Sequence, residues 1–205
     1  MKLPFSLNPR AALAALCLLL SAQAFAATET IAIFRHGEKP DQGLGQLTCQ
    51  GLNRALALPR VLNSAFGSPD ALFAPDPATQ VSDSGNNYYY VRPLATIEPT
   101  AISAGLPVNT AYGFTQTANL AAKLLSSDYA NSTVYVAWEH KKIVTLAKQI
   151  FANLGQSANI PSWSGNDYDS IYVITINSSG NQRNAAFSIQ TEGLNGQSTT
   201  CPGAN

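Results

Sequence analysis

The chain has 205 residues with 12 basic and 12 acidic side chains, and charged residues make up only 12% of it. That length suits one α/β domain with a real core and is short for two. The sparse, balanced charge shows no basic stripe for a nucleic acid and no polybasic run for a membrane surface, so any bound anion must be held by a local cluster.

The first 26 residues read as a leader. Lys2 and Arg10 give a positive start, Ala11 to Leu20 is an apolar run, and Ala24-Phe25-Ala26 fits a small-residue cleavage site. The run is about half of what a membrane-spanning helix needs, and nothing later is long enough either. Cys17 follows Leu16 rather than a small residue, which argues against a lipoprotein. The pattern predicts a signal peptide over 1–26 cleaved after Ala26, a single mature domain over 27–205, and a periplasmic or secreted location. Cleavage leaves 10 basic and 12 acidic residues, with Cys49 and Cys201 as the remaining cysteines. An exported protein can bridge them, tying the tail to the segment after the first strand; two separated thiols are the alternative.

In the mature chain, Thr30 to Phe34 is an apolar, β-branched run of the kind that forms a buried central strand, and it stops on Arg35-His36-Gly37. A helix should open at Thr48 as N-cap, bury Leu52, Ala55 and Leu56, and be kinked or divided at Pro59. Ala71 to Ala74 reads as a short strand and Pro75 to Asn87 as an inserted loop. Tyr88 to Val91 should be extended and deliver Arg92 to a helix with Pro93 in its first turn and Leu94, Ile97 and Ala101 on its apolar side. Val108 to Tyr112 fits a brief edge strand, and Thr115 or Thr117 starts a helix through Leu125. Ser132 to Trp138 is a second strong strand ending on Glu139-His140, followed by a helix to Leu154. Ser170 to Ile176 and Ala185 to Gln190 pair in the final third. Strands alternating with helices predict an α/β fold, with parallel strands as the default.

The chemistry collects at strand ends. Both histidines, His36 and His140, sit there, and Arg35 and Arg92 are placed similarly. Ligands of α/β sheets bind at the carboxyl ends of strands, and an arginine fork suits phosphate or carboxylate. A neutral histidine is a nitrogen nucleophile. Tyr88 and Tyr90 share one side of their segment and Tyr89 the other, so at least one belongs to the core. Trp138 reads as packing.

Ile31 to Lys39 resembles the signature of the histidine phosphatase superfamily. Leu47-Thr48 with Gly51 and Arg54-Ala55 resembles the family's next segment, just after that signature. Arg92 to Pro99 with Gly105-Leu106-Pro107 is similar to its second-arginine helix, and Val136 to His140 to its second-histidine strand. The likeness covers about residues 30 to 155. It implies the phosphoglycerate-mutase-like fold, a three-layer sandwich whose central sheet, mostly parallel, is flanked by helices.

It also implies a phosphomonoesterase that needs no metal or other cofactor and acts on a small phosphorylated substrate. His36 would attack phosphorus to give a phosphohistidine, while Arg35, Arg92 and His140 surround the phosphoryl oxygens. The proton donor is not fixed by a motif: Glu139 is the first candidate, with Glu38, Asp83 and Glu98 as rivals. Glu98 also reads as a solvated helix residue, Glu38 and Lys39 as rim charges, and Lys141 and Lys142 either as anion-drawing charges or as a solvated first helical turn. A mutase fits an exported chain poorly. From another class, a phosphate-binding protein that keeps the pocket without turnover is the second reading.

Overall fold

The computed structural model describes residues 27–203, so the leader expected over 1–26 lies outside the described residues. A six-stranded sheet forms the middle layer. Its strands are β1 (Ala27–Arg35), β2 (Ala71–Phe73), β5 (Val108–Asn109), β6 (Thr133–Trp138), β7 (Ser170–Ser179) and β8 (Gln182–Thr191). They lie side by side in the order β5-β2-β6-β1-β7-β8. β5, β2, β6 and β1 pair in parallel, whereas β7 runs antiparallel to both β1 and β8. The sheet is therefore mostly parallel, and the fold is the expected three-layer α/β sandwich.

Alternation along the two central strands sends side chains into two cores. Ile31 and Ile33 of β1 and Val134, Val136 and Trp138 of β6 pack with helices α3 (Thr117–Leu124) and α4 (His140–Asn153). Ala32, Phe34, Tyr135 and Ala137 pack on the other face with α1 (Cys49–Phe66) and α2 (Arg92–Ala104). Both strands are apolar at every central position because both faces are covered.

Helix α1 starts as expected, with the Thr48 hydroxyl accepting from Gly51 N at 3.1 Å. Its buried stripe differs from the expected one: Gly51, Arg54, Ala55, Leu58 and Leu62 face inward, while Leu56 is 52% exposed. A stripe containing a glycine and an arginine is invisible to a count of apolar spacings. Nor does Pro59 divide the helix, which runs from Cys49 to Phe66. Leu58 and Leu62 are fully buried on either side of the proline. Burying such side chains contributes about 1.5–3 kcal/mol each, enough to offset one missing backbone hydrogen bond.

The stretch expected as an inserted loop contains a hairpin, β3 (Gln80–Asp83) and β4 (Asn86–Tyr89). Its two-residue turn places Ser84 at φ 51° and Gly85 at φ 84°, the left-handed pair that strand twist favours in tight hairpins. In the final third, β7 and β8 are longer than expected and pair from Ser170 with Thr191 to Ser179 with Gln182. Cys49 and Cys201 are joined by a disulfide, and Asn53 Nδ2 holds the tail by donating to the carbonyls of Ser198 and Thr200, each at 2.8 Å.

One fully buried cation ties these parts together. The Arg54 guanidinium contacts Glu38 at 2.8 Å, Asp169 at 3.3 Å and Glu192 at 2.5 Å. Burial alone would lower its pKa, but the carboxylates around it hold it charged. One guanidinium cannot neutralise three carboxylates. Burial pushes the Glu192 carboxyl up to about 8 despite Arg54, with Asp169 and Glu38 adding to the rise. The native protein thus holds a proton there that an unfolded chain, with a carboxyl near 4.5, has lost. This stabilisation is fully present below about pH 4.5 and is lost as pH rises through about 8. Its slope can reach about 1.4 kcal/mol per pH unit. Burial likewise raises Glu29, to about 7, against the opposing pull of Arg183. Urea unfolding should therefore show stability falling between pH 5 and 8, and Glu192→Gln should remove the larger part of that slope.

Candidate active site

The site follows from strand register. Arg35 of β1 lies opposite Trp138 of β6, and His36 N donates to the Trp138 carbonyl at 3.1 Å. His36 therefore leaves the sheet level with Glu139. The backbone turns there from strand into helix: Glu139 is the N-cap of α4 at φ −87° and ψ 134°, and His140 is the first helical residue. That turn lets two side chains that a continuing strand would send to opposite faces line one cavity.

The His36 ring is 2% exposed, and its Nδ1 lies 2.8 Å from the Gly37 carbonyl. A carbonyl can only accept, so the proton of the neutral ring sits on Nδ1 and Nε2 keeps its lone pair. Burial, then the charges of Arg92 and Arg35, push the His36 pKa well below its ordinary value. Both effects favour the neutral ring.

Gly37 N donates to the Thr96 hydroxyl at 3.0 Å, which itself donates to the Arg92 carbonyl at 2.8 Å. This links the loop after β1 to the first turn of α2. On its other side the loop packs directly on α1. A Cβ at Gly37 would lie 2.9 Å from the Gly51 carbonyl oxygen, and one at Gly51 would lie 2.5 Å from that of Glu38. Two glycines are required because two backbones touch.

The arginines are fixed by groups that no motif announces. Arg35 Nη1 donates to the carbonyls of Gly165 at 2.7 Å and Asp167 at 2.9 Å, and the Tyr168 ring lies 3.8 Å from its guanidinium carbon. Asp167 is itself braced, accepting from Asp169 N at 2.9 Å and from the Ser170 hydroxyl at 2.6 Å. Arg92 contacts Asp83 through Nη2 and donates to the Gly43 carbonyl at 3.3 Å, while Lys39 binds the other Asp83 oxygen at 2.7 Å. The hairpin thus carries the carboxylate that orients Arg92.

These residues surround a cavity of about 560 Å³ whose walls include Arg35, His36, Arg92, Glu139 and His140. A cleft of about 700 Å³ between α1 and α2 is larger, but neither a histidine nor a carboxylate lines it. Arg35 Nε, Arg92 Nε, Tyr90 Oη and His140 Nδ1 are buried with no hydrogen-bond partner among the described residues. The His140 nitrogen does lie 2.7 Å from Glu139 Oε1, but without hydrogen-bond alignment. Buried polar groups in native proteins almost always find partners, and a cluster that lacks them inside one cavity marks a place for a ligand. Among the described residues, no group of three or more His, Cys, Asp or Glu side chains is placed to hold a metal ion.

Of the four candidate proton donors, Glu139 and Asp83 line the cavity. Burial raises the Glu139 carboxyl, but His140 and the backbone N–H groups of Lys141 and Lys142 outweigh it and bring the value down to about 2. Asp83 is also lowered, burial being outweighed by Lys39 and Arg92. Both shifts favour the ionised carboxylates. Glu38 is bound to Arg54, and Glu98 is exposed on α2. Lys39, Lys141 and Lys142 stand at the cavity wall. Tyr90 is buried and Tyr89 exposed, and Trp138 is a core residue whose indole N–H donates to the Phe114 carbonyl at 2.9 Å.

No family model and no curated protein sequence matches the chain. Solved structures do match it. A mycobacterial glucosyl-3-phosphoglycerate phosphatase in complex with inorganic phosphate aligns with TM-score 0.54 and 16% identity, over 78% of this chain and 95% of its own. An Escherichia coli protein assigned provisionally as an alpha-ribazole-5'-P phosphatase gives 0.52 and 12%, over 85% and 98%. A Nakamurella multipartitia protein assigned provisionally as the phosphohistidine phosphatase SixA gives 0.50 and 17%, over 80% and 96%. At these identities the likeness establishes the fold, which is the phosphoglycerate-mutase-like α/β fold. It agrees with the fold that the motifs imply.

The contact between the two glycines yields a test. Gly51→Ala should push the loop carrying His36 away from α1, costing about 1–3 kcal/mol of stability. Phosphate affinity should fall with it although residue 51 lies outside the cavity wall. Unfolding curves and phosphate titration of the variant check both effects.

Proposed function

We propose that the chain is an exported phosphomonoesterase that works through a phosphohistidine on His36. The observation that carries this reading is a neutral imidazole with Nε2 free, set among buried donors that lack an acceptor. In this mechanism Nε2 attacks phosphorus and the P–O bond to the leaving group breaks. Arg35, Arg92 and His140 hold the three other oxygens as their charge redistributes. Water then attacks the phosphohistidine, releasing phosphate and restoring the ring. The arginines supply the positive charge that a metal would otherwise bring, so the proposed reaction is metal-independent. The phosphatase names of the structural neighbours support this choice of chemistry, with a small phosphorylated molecule as the substrate.

Glu139 is the proposed proton donor. It gives its proton to the leaving oxygen and recovers one from the water of the second step. Because the Glu139 carboxyl is held at about 2, the proton it gives must arrive with the substrate, as the phosphate monoanion. Phosphate monoesters lose their second proton near pH 6. Export is supported by the leader pattern and by the Cys49–Cys201 bridge, which oxidising compartments favour.

Hydrolysis of an aryl phosphate by the purified protein separates this reading from that of a phosphate-binding protein. His36→Ala should abolish turnover while leaving the fold intact, and a chelator should leave the wild-type rate unchanged. For the wild type, kcat/KM should fall about tenfold per pH unit above roughly pH 6, with no acid limb from His36. Glu139→Gln should slow alkyl phosphates, whose alkoxide needs a proton, far more than aryl phosphates. Full turnover by a folded His36→Ala protein contradicts the mechanism. A flat profile to pH 8, or equal losses on both ester classes, contradicts the role of Glu139.

A further inference from the structure

We infer that the Tyr90 hydroxyl is a further phosphoryl-binding donor, completing the ring formed by Arg35, Arg92 and His140. This rests on the phosphatase reading above and adds to it a residue that the motifs do not supply.

Tyr90 follows β4 directly, and its backbone is pinned by the bond from Tyr90 N to the Thr79 carbonyl at 3.1 Å. The side chain is 2% exposed. Its ring stands edge-on to His36, with centroids 6.1 Å apart, and packs against Phe114 at 5.6 Å. The Arg92 guanidinium carbon lies 5.0 Å from the Tyr90 ring centroid. Packing thus fixes the phenol beside the nucleophile and one phosphate-binding arginine, and the residue lines the same cavity.

The hydroxyl has no hydrogen-bond partner among the described residues, although it is buried. Burial pushes its pKa up, the nearby arginines lowering it by less, so it stays protonated. Arg35 and Arg92, the cations nearest to it, cannot accept a proton because guanidinium carries donors only. Tyr90 Oη, Arg35 Nε and Arg92 Nε therefore lack the same thing, an acceptor. An oxyanion seated in front of His36 supplies it to all three. A neutral donor suits this position because it adds a hydrogen bond without further lowering the pKa of the nucleophile beside it.

Tyr90→Phe removes the oxygen and keeps the ring packing, which a thermal unfolding curve verifies. The probes are inorganic phosphate, vanadate, and a matched pair of aryl and alkyl phosphates. A hydrogen bond to a charged group corresponds to roughly 10- to 100-fold in affinity. Vanadate affinity should fall by about that factor, and kcat/KM should fall alike for both esters. Unchanged vanadate affinity overturns the assignment. So does a loss confined to alkyl phosphates with vanadate binding intact, since that pattern marks a proton donor to the leaving group.

If Tyr90→Phe does not fold, a ring-fluorinated tyrosine at the same position retains the hydroxyl and lowers its pKa. Loss of vanadate binding should then set in at lower pH than in the wild type, and an unmoved pH dependence overturns the proposal. Failure of the wild type to bind either phosphate or vanadate overturns both this inference and the phosphatase reading beneath it. A Tyr90→Phe protein that binds as well as a competent wild type overturns this inference alone.

Discussion

The buried guanidinium of Arg54 is the interaction on which the site depends. It reaches Glu38, two residues beyond His36, and it reaches Asp169 and Glu192 at the ends of β7 and β8. Asp169 in turn accepts from Leu194 N at 2.7 Å, and its own N–H closes on Asp167. The Asp167 carbonyl holds Arg35. One side chain on α1 thus braces the loop that carries His36 and the segment that holds Arg35. Removing a partner from such a buried network costs about 3–5 kcal/mol, because the remaining charges lose their compensation. The disulfide at the start of α1 fastens the tail over the same region.

This bracing matters because the site concentrates charge around a group that must stay neutral. A histidine between two arginines would lose its nucleophilic value if it were free to take a proton and a counter-ion. Burial and the neighbouring cations together disfavour that state. Lys39 and Arg92 keep Asp83 ionised, so the hairpin that carries it becomes a fixed orienting wall for Arg92. Glu139 serves the level end of the neighbouring strand β6. As N-cap it accepts from Lys142 N at 2.9 Å, and its free oxygen faces His140. The site is thus pre-organised in the sense that matters for phosphoryl transfer, with donors held in place before charge moves.

Much of this is legible in the chain. The apolar runs ending at Arg35-His36 and at Glu139-His140 predict two central strands, and parallel pairing sets their ends level. Thr48 as N-cap, Pro93 in the first turn of α2 and Gly105 at its end are local signals, and the structure shows each of them. Whatever depends on distant partners is illegible. Tyr168 on Arg35, and Asp169 and Glu192 on Arg54, join residues far apart in sequence, and spacing carries no trace of them. Asp83 is close to Arg92 in sequence, but its part depends on the hairpin that folds it back. The buried stripe of α1 departs from apolar spacing because Gly51 and Arg54 are buried for contact and charge rather than for hydrophobicity. The hairpin does carry a local signal, since Ser84-Gly85 between two short polar strands is a two-residue turn. Alternation across Tyr88, Tyr89 and Tyr90 indicates that one tyrosine is core, but not that it faces His36.

The central claim is that His36 Nε2 becomes covalently bonded to phosphorus during turnover. Acid quenching destroys such a bond, so the decisive measurement is an alkaline quench within the first turnover on an isotopically labelled phosphate ester, followed by peptide mapping. The account predicts label on the peptide containing His36, bound through Nε2, and discharged as phosphate at the rate of turnover. Turnover without label on His36, or label on any other residue at that rate, would contradict it.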